Sequence, residues 1–188
     1  TRFKPGSCRK AAPRMDVRVL SSDPENIVGE IVCKGPNVML GYYKNSEATE
    51  AVIDKDGWLH TGDLATMDAD GYVTVRGRSK NMLLTSSGQN IYPEEIESKL
   101  NNMPYVSESL IVLQHDKLVA LIYPDFDDTF AHGLQQTDIE KAMEANRNEL
   151  NLLLPAYCQI TKVKIHFEEF EKTAKKSIKR FMYQEAKG

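Results

Sequence analysis

The chain reads as an α+β protein in two successive pieces, and three observations carry that reading. Residues 1–79 hold short apolar runs broken by turn clusters, with one brief helical stretch, so a mostly β segment is expected there. Residues 80–188 alternate strand-like runs with stretches of helical spacing, which predicts a compact domain with a small antiparallel sheet and helices packed on it. Ser79-Lys80-Asn81, where one pattern gives way to the other, is the expected boundary.

Taken in order, residues 1–14 are polar, basic and broken by Pro5, Gly6 and Pro13, as a lead-in loop would be. Met15 to Leu20 alternates like a half-buried strand, and Ser21 to Asn26 is a turn cluster. A second strand over Ile27 to Lys34 ends at Gly35-Pro36. Asn45-Ser46 offers an N-cap to a short helix running to Val52, with Gly57 as its stop. Trp58 to Met67 and Tyr72 to Arg76 flank Asp68-Ala69-Asp70-Gly71, and an Asp-Gly pair tolerates the positive φ of a tight hairpin. Such a hairpin folds Asp63 back toward Arg78.

Beyond Lys80, Met82 to Thr85 and Asn90 to Tyr92 read as a small hairpin around Gly88. Pro93 suits the first turn of a helix whose acidic start, Glu94, Glu95 and Glu97, complements the dipole, with Ile96, Leu100 and Met103 facing inward. Ser107 to Leu113 and Lys117 to Tyr123 form an antiparallel pair, and Pro124 to Gln136 reads as loop. Thr137 with Glu140 makes a capping box that opens a helix with Ile139, Met143 and Leu150 inward. Val163, Ile165 and Phe167 alternate with charged neighbours in a last strand, and Ile178, Phe181 and Met182 make a terminal amphipathic turn.

Composition narrows the classes. With 188 residues, 41% hydrophobic and 27% charged, the chain can bury a real core, and a net charge of −3 gives no general pull toward nucleic acid or anionic membrane. Cys8, Cys33 and Cys158 have unrelated spacings, which argues against a disulfide framework or a zinc site and for a reducing compartment. No run approaches the ~18 apolar residues of a membrane span. Thr1-Arg2-Phe3 in place of an initiator Met reads as a start inside a longer protein. A cytoplasmic location is expected, with peripheral membrane attachment left open.

The stretch Gly57 to Glu97 concentrates the chemistry: Asp63 in Thr-Gly-Asp, Arg78 in Gly-Arg, Lys80, the loop Ser86-Ser87-Gly88-Gln89-Asn90, and the helix start at Pro93. A carboxylate and a guanidinium converging on one place suit a ribose, since Asp accepts from vicinal hydroxyls and Arg donates to sugar or phosphate oxygens. Two such bonds, each about 1.5–3 kcal/mol, do not offset the ~4–15 kcal/mol cost of association. There is neither GxxxxGK[ST] nor GxGxxG, so half of a nucleotide site is missing. The alternative is that Asp63 caps a turn and Arg78 is solvated. The four histidines are scattered and read as structural or exposed. The basic tail lacks the aromatic interleaving of a nucleic-acid binder.

These motifs, in this order, resemble the acyl-adenylate-forming (ANL) superfamily, and within it the long-chain fatty acyl-CoA ligases. Pro5 to Ser7 and Gly29 through Asn45 are similar to the segment closing that family's large N-terminal domain, a distorted barrel. Trp58 to Asp63 is similar to its aspartate motif, Gly77 to Glu97 to its hinge motif, and Lys172 to Arg180 to its catalytic-lysine motif. The resemblance implies that residues 1–79 end the large AMP-binding domain and that residues 80–188 are a mobile lid hinged at Lys80. It assigns Asp63 and Arg78 to the ribose, Val75 to the neighbourhood of the adenine, and Ser87, Gly88 and Asn90 to the CoA channel. The implied reaction turns a carboxylate and ATP, with Mg2+, into acyl-AMP and pyrophosphate, and CoA then gives the thioester. Expected partners are the upstream domain, ATP, fatty acid and CoA, with a second copy of the chain also considered. The fragment alone is expected to be inactive.

One position departs from the pattern. The family's Lys-Thr-x-x-Gly-Lys-Ile-x-Arg runs here as Lys172-Thr173-Ala174-Lys175-Lys176-Ser177-Ile178-Lys179-Arg180, placing Ser177 where the catalytic Lys belongs. Lys176, from a locally shifted loop, is the first candidate to replace it, and Lys175 the next. Two rival readings stand beside the ligase: a non-catalytic interaction module on the same scaffold, and an adenylation domain that loads a carrier protein.

Overall fold

The computed structural model describes residues 4–8 and 10–184, and it is α+β. The chain divides into two compact units, Thr1–Lys80 and Asn81–Gly188. The expected lead-in loop is a series of turns where it is described; its residues 1–3 and 9 lie outside the described residues.

In the first unit β1 (Asp16–Leu20), β2 (Gly29–Lys34), β3 (Leu59–Met67) and β4 (Val73–Arg78) pair antiparallel in sequence order. Alternation puts Val19, Ala65 and Val73 into a small core, with Val17, Ile31 and Met67 packed against it. Asn45 caps α1 (Ser46–Glu50) by accepting from the Ala48 amide at 3.0 Å. The helix ends well before Gly57, because Ile53 bridges Leu59 and draws the chain into an extended path. In the β3–β4 hairpin the Gly71 amide donates to Asp68 O at 2.8 Å, the Asp68 amide donates to Tyr72 O at 3.1 Å, and φ is +81° at Gly71. This is a three-residue loop closed by a left-handed residue, not a two-residue turn on Asp70-Gly71.

In the second unit β5 (Leu83–Leu84) and β6 (Asn90–Ile91) form the small hairpin ahead of α2 (Pro93–Leu100). β7 (Val106–Gln114) and β8 (Lys117–Pro124) pair antiparallel through a turn in which His115 and Asp116 both have positive φ. β9 (Ile160–Ile165) then joins β8 in parallel. The long helix α4 (Gln136–Leu153) explains the parallel strand: eighteen residues carry the chain back about 27 Å before β9 begins. Asn151 fixes the return, donating to Ile160 O (2.9 Å) and accepting from the Ile160 amide (2.8 Å).

Three local readings are corrected here. The expected loop Pro124–Gln136 contains a helix, α3 (Phe126–Ala131), capped by Asp125 at the Asp128 amide (3.0 Å). The box opening α4 lies earlier than expected, with Asp138 accepting from the Gln135 amide at 3.2 Å. The terminal turn at Arg180–Met182 leaves Phe181 and Met182 exposed, while Phe170 is buried and Tyr183 packs beside it.

One face of the sheet is covered by α2 and α4, with Ile96, Leu100, Ile139, Met143 and Leu150 against Ile111, Ala120, Ile122 and Ile160. On the other face lie Leu110, Val112, Val119 and Leu121, packed with Phe170, Ile178 and Tyr183. Burial on both faces is why β7 and β8 read as continuous apolar runs rather than as alternation.

Candidate functional site

The β3–β4 hairpin brings Asp63 and Arg78 together. They are cross-strand partners, and Arg78 Nε lies 2.7 Å from Asp63 Oδ1. Arg78 Nη1 also donates to Thr61 O at 3.3 Å, which pins the guanidinium over the Thr61-Gly62-Asp63 turn. The pair is open to solvent, with 54% of the Arg78 side chain and 32% of the Asp63 side chain exposed, so it adds little to stability by itself. An ionised carboxylate has about four acceptor positions and a guanidinium five donors, so the contact leaves both groups with capacity for a bound sugar. Val75 lies on the same strand, opposite Ala65, and is exposed.

The turn that presents Asp63 is a bulge. Glu30 pairs with Leu64 and Val32 with His60, so three residues of β3, Thr61 to Asp63, stand opposite Ile31 alone. Gly62 takes φ +70° within the strand, which a residue with a Cβ adopts only at a cost. Side chains satisfy the backbone that the bulge releases. Glu30 Oε1 accepts from the Gly62 amide at 2.9 Å, Thr61 Oγ1 donates to Ile31 O at 2.8 Å, and the Asp63 amide donates to Thr61 Oγ1 at 3.1 Å. His60 Nδ1 donates to Glu30 Oε2 at 2.8 Å. Neither Glu30 nor His60 stands out in sequence; the signal for Glu30 is its place one strand over from the Thr-Gly-Asp bulge.

Lys80 sits in a single 3-10 turn, Ser79–Asn81, and is exposed. In the second unit, Ser87 and Gly88 lie in the β5–β6 turn and Asn90 begins β6. Asp116 holds this turn from the β7–β8 corner, accepting from the Ser86 amide at 2.8 Å and from its hydroxyl. Those two bonds keep the Asp116 carboxyl below its ordinary range.

The tail motif repeats a turn that occurs three times earlier among the described residues. In Asp54–Trp58, Asp68–Tyr72, Thr85–Gln89 and Thr173–Ser177 alike, the fourth residue's amide donates to the first residue's carbonyl, and the first residue's amide donates to the fifth residue's carbonyl. Gly57, Gly71 and Gly88 fill the left-handed fourth position in three of them, whereas Lys176 fills it in the tail at φ +60°. Lys172 and Ile178 bridge antiparallel across the turn, which leaves Thr173 to Ser177 as its loop. The Lys172 ammonium pairs with Glu108 at 2.9 Å and with Glu169 at 3.3 Å, and these bonds, Glu108 first, raise its pKa.

Glu97 differs most from its expected role. It does not simply serve the helix start: it is buried, accepts from the Ile111 amide at 2.7 Å and pairs with Arg180. Burial pushes its carboxyl up, against the opposing pull of Arg180 and the Ile111 amide. Helical spacing carried the signal, since Pro93, Ile96, Glu97 and Leu100 share the inward face of α2.

Fold and motifs together define a class, the C-terminal region of the adenylate-forming ANL enzymes. O-succinylbenzoate coenzyme A synthetase from Bacillus subtilis, solved with AMP, superimposes with a TM-score of 0.76 at 25% identity, over 97% of this chain and 36% of that one. The family model described as AMP-binding enzyme C-terminal domain matches residues 80–186, and the chain belongs to that family. An indoleacetate–CoA ligase of Aromatoleum aromaticum is 40% identical over 130 residues, 64% of this chain and 25% of the relative. A long-chain-fatty-acid–CoA ligase of Salmonella typhimurium is 43% identical over 99 residues, 50% of this chain and 17% of the relative. The chain thus spans a quarter or less of these two curated relatives. Among the described residues no helix is long and apolar enough to cross a membrane, and no group of three or more His, Cys, Asp or Glu could hold a metal ion.

Proposed function

We propose that this chain is the C-terminal part of an ATP-dependent acid–CoA ligase, which adenylates a carboxylic acid and then transfers the acyl group to the CoA thiol. The observation that carries the reading is the Asp63–Arg78 pair on an exposed hairpin, just ahead of the matched domain. In this reading Asp63 accepts from the ribose hydroxyls, Arg78 donates to the same sugar, and Val75 offers apolar surface near the adenine. Residues 1–79 end the large domain and residues 80–188 form the lid. Lys80 is the pivot, and Ser87, Gly88 and Asn90 border the CoA path. Mg2+ would travel with ATP on the phosphates, since the described residues supply no ligand cluster, and the upstream domain would hold the phosphates and the acyl chain. The protein would act in the cytoplasm.

The substrate proposed first is a long-chain fatty acid, supported by the similarity to the Salmonella ligase; an aryl acid is the competitor, supported by the indoleacetate ligase. Pyrophosphate release by the full-length protein, with each acid and with and without CoA, tests the reading. Acid-dependent release with CoA-dependent thioester formation is expected, and no turnover with any acid would sink it. The interaction module is the second reading, supported by the sequence, which has Ser177 where the motif has its second lysine. In the ligase reading Lys176, next to Ser177 and at φ +60°, takes that lysine's place.

A further inference from the structure

We propose that Glu30 is the positioning residue of the sugar clamp, its carboxylate closing the bulge that aims Asp63 at Arg78. The inference rests on the ribose reading of that pair and adds the group that sets its geometry. Both oxygens of Glu30 are used on β3, Oε1 by the Gly62 amide at 2.9 Å and Oε2 by His60 Nδ1 at 2.8 Å. The two contacts straddle Thr61, whose carbonyl accepts from Arg78 and whose hydroxyl accepts from the Asp63 amide. One side chain on the neighbouring strand therefore ties down both ends of the turn that carries the clamp. Because an ionised carboxylate only accepts, Nδ1 of His60 carries the proton. Asp54, at 3.8 Å from Nε2, is the other acid beside the ring. Without Glu30 the Gly62 amide loses its acceptor inside the sheet, and the three-residue bulge opposite Ile31 loses its cross-strand anchor.

The test compares Glu30→Ala, Glu30→Gln and Asp63→Ala in the full-length protein. AMP affinity is read by calorimetry, and hydrogen exchange by mass spectrometry over residues 58–67. Glu30→Ala is expected to weaken AMP binding about tenfold, the loss of one charge-assisted bond to the sugar, and to speed exchange in that peptide. Glu30→Gln keeps an acceptor for Gly62 and offers its amide to the other tautomer of His60, so it is expected to stay close to the unsubstituted protein on both readouts. Normal AMP affinity in Glu30→Ala, with Asp63→Ala impaired, overturns the proposal and leaves the ribose reading standing. Normal affinity in Asp63→Ala removes the ribose reading and the proposal with it. Equal losses in both Glu30 variants, with exchange unchanged in the glutamine one, assign the effect to charge and also overturn it. If Glu30→Ala does not fold, Glu30→Asp, too short to span both contacts, takes its place.

Discussion

Replacing Arg180 with methionine removes the cation from a carboxylate that stays buried. Only 9% of the Glu97 side chain and 13% of the Arg180 side chain are exposed, so solvent does little to screen the loss. Leaving one member of such a pair alone costs about 3–5 kcal/mol, a large share of the roughly 5–15 kcal/mol that holds a domain together. The cost depends on pH, and its sign follows from Glu97. Burial raises the carboxyl above its ordinary value of 4.5, so the folded state holds that proton more tightly than the unfolded chain. A contribution of this kind is fully present below 4.5 and is lost as pH rises through the folded value. Without Arg180 the folded value climbs further. The deficit of Arg180→Met is therefore smallest in acid and grows toward neutrality. Urea unfolding followed by circular dichroism, from about pH 4 to about pH 7, measures it directly. Adding Glu97→Gln, which can still accept from the Ile111 amide, should recover most of the loss at neutral pH. A deficit below about 1 kcal/mol at neutral pH, or one that does not change with pH, would refute the reasoning.

Lys176→Gly should stabilise the chain by roughly 0.5–1 kcal/mol, because relief of about 1–2 kcal/mol of left-handed strain exceeds the added freedom of glycine in the unfolded chain. A lower melting temperature in that variant would contradict it. Ser177→Lys in the full-length protein restores the donor missing from the motif and should speed adenylation about 100–1,000-fold, read as pyrophosphate release in a single turnover. No acceleration would show that another group already supplies the charge. Lys176→Ala, conversely, should slow adenylation far more than thiolysis if Lys176 is that group, and equal or absent effects would exclude it.

How much was legible in the sequence depended on whether the determining contacts were local. The β3–β4 hairpin was readable because Asp68 to Gly71 sets its own turn, and that turn is enough to bring residue 78 back beside residue 63. The N-cap at Asn45 and the inward face of α4 were readable for the same reason, being fixed by neighbours within one or two helical turns. Long-range partners were not. Glu97 looks like an ordinary acidic helix start until Arg180, 83 positions away, is seen to fold onto it. Glu30 reads as a strand residue until the Gly62 amide is found against it. The parallel placement of β9 follows from the length of α4, and α3 was hidden because one Asp cap and six residues make a weak periodic signal.

The central claim is that Asp63 and Arg78 hold one sugar between them, and AMP binding to the full-length protein tests it most directly. Asp63→Ala and Arg78→Ala should each weaken AMP about tenfold to a hundredfold, the worth of a charge-assisted hydrogen bond, while secondary structure by circular dichroism is retained. Folded variants that bind AMP as tightly as the unsubstituted protein would contradict the account.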